Sequence, residues 1–110
     1  MEIRDELEDH QRKELENLGY EFPKVIKLAK KGKGRIIETY DTSISYLMSL
    51  LPESVTKHGK ELFLEINKLN ERWGVWYVSF EEKWTKYTVG YEDENLIYCL
   101  YETLKYIKKP

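Results

Sequence analysis

Residues 60–110 read KELFLEINKLNERWGVWYVSFEEKWTKYTVGYEDENLIYCLYETLKYIKKP, and the changing period of this stretch decides the fold. Apolar and polar residues alternate through two turn-like interruptions, then switch to helical spacing after Glu92-Asp93. The stretch carries eleven of the fifteen aromatic residues in the chain. Leu62, Leu64 and Ile66 share one face of a first strand. Asn67–Gly74 predicts a hairpin loop of several residues rather than two. Beyond it Trp76, Val78 and Phe80 share one face of a second strand, with Val75, Tyr77 and Ser79 on the other. A third strand sets Thr85, Tyr87, Val89 and Tyr91 against Trp84, Lys86 and Thr88.

The closing helix has the clearest boundaries. Asp93 is a suitable N-cap, Glu94 suits the positive end of the helix dipole, and Lys105, Lys108 and Lys109 suit the negative end. Leu96, Ile97, Leu100, Tyr101, Leu104 and Ile107 form a stripe about 140° wide at 100° per residue. That stripe is expected to pack on the Leu62/Trp76/Tyr87 face. The opposite face then gathers Phe63, Val75, Tyr77 and Trp84, with Trp73 at the hairpin.

Upstream, residues 2–18 predict a weakly amphipathic helix, because Gln11 and Glu14 interrupt the arc of Ile3, Leu7, Leu15 and Leu18. So thin a stripe predicts a helix that docks loosely or serves as an acidic arm. Pro23 suits a first helical position, and Phe22, Val25, Ile26 and Ala29 recur at helical spacing, which predicts a second helix over 22–31. Asp41, Thr42 and Ser43 offer caps for a third helix over 42–51, ended by Pro52. A brief strand and a turn at His58-Gly59 lead into the sheet. The fold class is therefore α+β: N-terminal helices, then a three- to four-stranded antiparallel sheet with a C-terminal helix on one face, in a single domain over 1–110 whose strand-strand-strand-helix core spans 53–110.

That order of elements resembles double-stranded-RNA-binding domains. It is also similar to the small half of HicB-type antitoxins, which Thr88-Val89-Gly90 before the helix echoes. The RNA-binding module places lysines at the start of its last helix. This chain has Glu92, Asp93 and Glu94 there, which would repel phosphate. Both resemblances are of topology.

Charge is uneven along the chain. Residues 1–21 hold eight acids and three bases; residues 22–35 hold six bases and no acid; residues 36–110 hold twelve acids and nine bases. The net charge of -2 gives no global field toward nucleic acid or membrane, while an acidic segment followed by a basic one predicts that the two pair with each other. Charged residues crowd the first twenty positions, where a secretory signal would be apolar. A single cysteine, Cys99, excludes an internal disulfide and fits a reducing compartment, so the expected location is cytoplasmic.

Catalytic chemistry has little support. His10 and His58 have no nucleophile near them in sequence, and Cys99 falls at the edge of a buried helical arc. No CxxC, HExxH or calcium-loop pattern occurs, and the Glu92–Glu94 carboxylates are explained by helix capping. Gly32-Lys33-Gly34 lacks the strand and helix of a phosphate cradle. The expectation is a non-enzymatic protein without cofactor or metal. It would bind a protein partner or a second copy through Phe63, Trp73, Val75, Tyr77 and Trp84, as an accessory, inhibitor or immunity-type protein of a mobile element does. That reading requires the second sheet face to be open; helices over 22–31 and 42–51 would otherwise cover it. The alternative is nucleic-acid binding through Lys24, Lys27, Lys30, Lys31, Lys33 and Arg35.

Overall fold

The computed structural model describes residues 4–28, 36–57, 59–79 and 87–108. In chain order these form α1 (Asp9–Asn17), β1 (Lys24–Leu28), β2 (Ile36–Tyr40), α2 (Ile44–Leu50), β3 (Ser54–Lys57), β4 (Lys60–Leu69), β5 (Arg72–Ser79), β6 (Tyr87–Asp93) and α3 (Leu96–Lys108). The fold is α+β, as the period pattern predicts. Strands β3 to β6 make one curled antiparallel sheet in sequence order, and β1 and β2 make a separate two-stranded ribbon.

The β4–β5 hairpin sets the facing of the whole sheet. Its loop has two residues, Asn70 and Glu71, both at positive φ (52° and 63°), as a type I′ turn requires. Leu69 therefore pairs with Arg72, Ile66 with Val75, and Leu64 with Tyr77. Side chains alternate with a period of two, so one residue of error in loop length reverses every position of the next strand. The several-residue loop expected from Asn67–Gly74 contains that error. Val75 and Tyr77 join Leu62, Leu64 and Ile66 on the α3 side, and Trp76 and Val78 turn to the other face with Phe63.

Helix α3 lies against one side of this sheet, α1 and α2 pack on α3, and the three share a single apolar cluster. Its centre is Leu15, Leu47, Val75, Ile97, Cys99, Leu100 and Leu104, each fully excluded from solvent. Tyr77 is fully buried and donates from its hydroxyl to the Pro52 carbonyl at 2.7 Å. Helix α3 begins at Leu96: the Asn95 amide donates to Asp93 Oδ1 at 2.8 Å, and the Asn95 carbonyl accepts from the Tyr98 amide at 3.2 Å. Helix α1 is firmly docked despite its polarity. Full burial of Leu15 contributes roughly 1.5–3 kcal/mol. Glu14 accepts hydrogen bonds from the Tyr101 hydroxyl and, at 3.0 Å, from the Lys105 ammonium.

The helix expected over 22–31 does not form. Lys24–Leu28 is a strand paired antiparallel with Ile36–Tyr40, Lys24 opposite Tyr40 and Leu28 opposite Ile36. Val25 and Ile26 carry branched β-carbons that prefer extended backbone, and a second β-prone run, Ile36-Ile37-Glu38-Thr39-Tyr40, supplies the partner.

Candidate functional site

The β1–β2 ribbon is the most prominent surface feature. Its root is clamped. Phe22 meets Tyr46 edge-to-face at 5.7 Å, and the Asp41 amide donates to the Pro23 carbonyl at 2.8 Å. The Arg12 guanidinium, buried to 8% exposure, lies 4.0 Å from the Tyr40 ring centre and pairs with Glu16. Tyr20 donates its hydroxyl to the Leu104 carbonyl at 2.6 Å, and burial pushes that phenol up to about 12.

Beyond the root the ribbon stands away from the body. Ile26 is 73% exposed, and neither strand packs broadly on another element. The molecule measures 60 × 32 × 19 Å with a radius of gyration of 16.4 Å, against about 13 Å for a compact chain of this length. Lys24 lies 3.6 Å from Glu38, an exposed pair of little energetic weight. Lys27 is on β1; Lys30, Lys31, Lys33 and Arg35 lie outside the described residues. Lys24 and Lys27, the described part of the basic segment, lie on a strand of the ribbon rather than on the helical face expected to align them. The pairing expected between the acidic and basic segments is not made by Glu14 and Glu16, which bond Lys105 and Arg12, nor by Glu8, which bonds Arg4.

The second sheet face is the other candidate. No helix covers it among the described residues, because α3 packs on the opposite side and α1 and α2 pack on α3. Phe63 is there and 47% exposed. Its expected companions are not: Val75 and Tyr77 are core residues at 0% exposure, and Trp84 lies outside the described residues. Trp76 occupies the face in their place, its indole laid over Gly74 and Gly90. The alternation reading missed Trp76 only through the hairpin slip. Glu61, Glu65 and Glu92 share this face by register, so its character is aromatic and acidic.

Trp73 belongs to neither surface. It is half-buried on the α3 side, in the wall of an open cleft of about 670 Å³ at the end of the β4–β5 hairpin. Lys68, its cross-strand partner, holds its ammonium 5.1 Å from the Trp73 ring centre.

Among the described residues, Cys99 and His10 are not brought together. Burial pushes the Cys99 thiol up to about 11, and its Sγ is 3.5 Å from the Trp73 carbonyl deep in the core. His10 is exposed on α1 with Glu8 3.4 Å away, and His58 lies outside the described residues. Among the described residues no histidine, cysteine and carboxylate cluster could hold a metal, and no helix is long and apolar enough to cross a membrane. Comparison with protein-family models, curated proteins and solved structures finds no match for this chain.

Proposed function

We propose that this chain is a non-enzymatic binding protein that takes a polyanion, nucleic acid by class, on its β1–β2 ribbon. The observation that carries the reading is a ribbon standing off the body whose first strand lies in a segment, 22–35, of six bases and no acid. Three physical arguments support it. An isolated two-stranded ribbon is marginal in water, so a projecting one gains order from what it grips. A two-stranded ribbon also fits the major groove of duplex DNA, about 12 Å wide. The third is charge: outside residues 24–40 acids outnumber bases nineteen to twelve, so a polyanion is repelled by the body and directed to the ribbon. Fluorescence anisotropy with labelled duplex DNA, duplex RNA and single strands at stepped salt tests this. Binding should weaken steeply between 50 and 200 mM salt and should weaken further in Lys24→Gln/Lys27→Gln. Absence of binding to all of these at 50 mM salt would overturn it.

A second reading is a protein partner, including a second copy of the chain, held on the Phe63–Trp76 face. Its support is the exposure of Phe63 on a face without a helix. Such a contact would be insensitive to salt and weakened by Phe63→Ser, which separates it from the first reading. Sedimentation of the free protein at rising concentration reads its homodimer form directly.

A further inference from the structure

The cleft beside Trp73 is independent of the ribbon and of the open sheet face. Its volume, about 670 Å³, lies within the range of small-molecule sites. It lies where the end of the β4–β5 hairpin and the first residues of α2 and α3 come together, with Ile44, Leu96 and Trp73 as its apolar walls. Arg4, Lys68 and Arg72 bring three cations to its lining. Two of these are already occupied: Arg4 holds Glu8 at 2.5 Å, and Arg72 holds Glu92 at 2.9 Å and Glu94 at 4.0 Å. Lys68 has no ion pair among the described residues and rests instead against the Trp73 ring. Glu71 and Glu94 also line the space, which disfavours a multiply charged anion such as phosphate. A single negative charge beside a flat apolar body matches Lys68 and the apolar walls. The charge meets Lys68 near the positive end of α3, and the body lies against Trp73, Leu96 and Ile44. We infer that this cleft binds a small monoanion with a planar apolar body, of which an aromatic carboxylate is the simplest form.

The test is a ¹H–¹⁵N titration of the full chain with indole-3-acetate, the neutral indole-3-acetamide and inorganic phosphate. Indole-3-acetate should give saturable shifts centred on Lys68 to Trp73 and on Leu96. The acetamide should bind about tenfold more weakly, the loss of one charge-assisted contact, and phosphate should leave these signals in place. Lys68→Gln, at an exposed position, should reduce the acetate affinity by a similar factor with the rest of the spectrum unchanged. Equal binding of acid and amide, shifts centred elsewhere, or no saturable shift with either indole would overturn the assignment.

Discussion

The indole of Trp76 rests directly on Gly90, its neighbour across β5 and β6: a methyl group there would stand 2.5 Å from Cε3 and 2.8 Å from the Trp76 Cα. The other end of the ring covers Gly74, where an added carbon would lie 2.7 Å from Cε2. Neither glycine is needed for its backbone angles. Both are needed for space.

The two glycines should differ in sensitivity. At Gly74 the obstruction is the swinging end of a side chain, whereas at Gly90 it includes the backbone of Val75 and Trp76. Gly90→Ala should therefore cost about 1–3 kcal/mol and Gly74→Ala less. Urea unfolding followed by far-ultraviolet circular dichroism gives both values. Equal costs would show that the indole, not the backbone, limits both sites.

The Glu14–Tyr101–Lys105 contact makes α1 docking depend on pH at both extremes. Hydrogen bonds from Tyr101 and Lys105 hold the Glu14 carboxyl below its usual value. Its contribution is thus present above the ordinary carboxylate range and lost as pH falls through the lowered value. The bond to Glu14 raises Lys105, whose contribution is complete below its ordinary value and lost as pH rises through the raised one. Hydrogen exchange of α1 amides should accelerate at the acid extreme beyond its intrinsic pH dependence. Glu14→Gln should remove that excess.

Cys99 should be chemically silent in the folded protein. It is fully buried, and desolvation first, then the nearby Asp93 charge, keeps its thiol protonated at neutral pH. An aromatic disulfide reagent should label it only at the rate of unfolding, so labelling should rise with urea along the unfolding curve. Rapid labelling in native buffer would contradict this burial.

Glu71 occupies a turn position that favours glycine. Its φ of 63° is left-handed, a region costing a side-chain-bearing residue roughly 1–2 kcal/mol. Glu71→Gly should raise stability by up to about 1 kcal/mol, the entropy of the freer unfolded chain offsetting part of the gain. Asn70→Gly should gain less, since asparagine tolerates this region. Thermal unfolding of the two variants ranks them.

How far the sequence was legible follows from these elements. The alternation of β4, β5 and β6 and the long stripe of α3 are repeated many times, so single ambiguities do not erase them. The facing of β5 was not legible, because it depends on one turn. Asn70-Glu71 lacks the glycine that marks a two-residue hairpin, while Gly74, which suggested a longer loop, is kept for the Trp76 ring. That single misreading exchanged Val75 and Tyr77 for Trp76 on the outer face. Residues 22–28 satisfy a helical spacing and a strand preference together, and only pairing with Ile36–Tyr40 resolves them. The Trp73 cleft was not legible either: it joins Arg4, Ile44, Lys68 and Leu96, which no local pattern relates.

The docking of α1 on α3 also has a consequence for synthesis. Each strand of the main sheet pairs with the next along the chain, so that unit closes by short steps as it leaves the ribosome. Helix α1 and Tyr20 precede the sheet in the chain, yet Tyr101, Leu104 and Lys105, which receive them, are translated more than eighty residues later. At roughly 5–20 residues per second, Leu7 and Leu15 wait several seconds in water for their cover. Ribosome-bound chains ending before α3 should therefore expose α1 to protease, and chains carrying α3 clear of the exit tunnel should protect it. The dense charge of α1, which weakens its apolar stripe, keeps the waiting segment soluble.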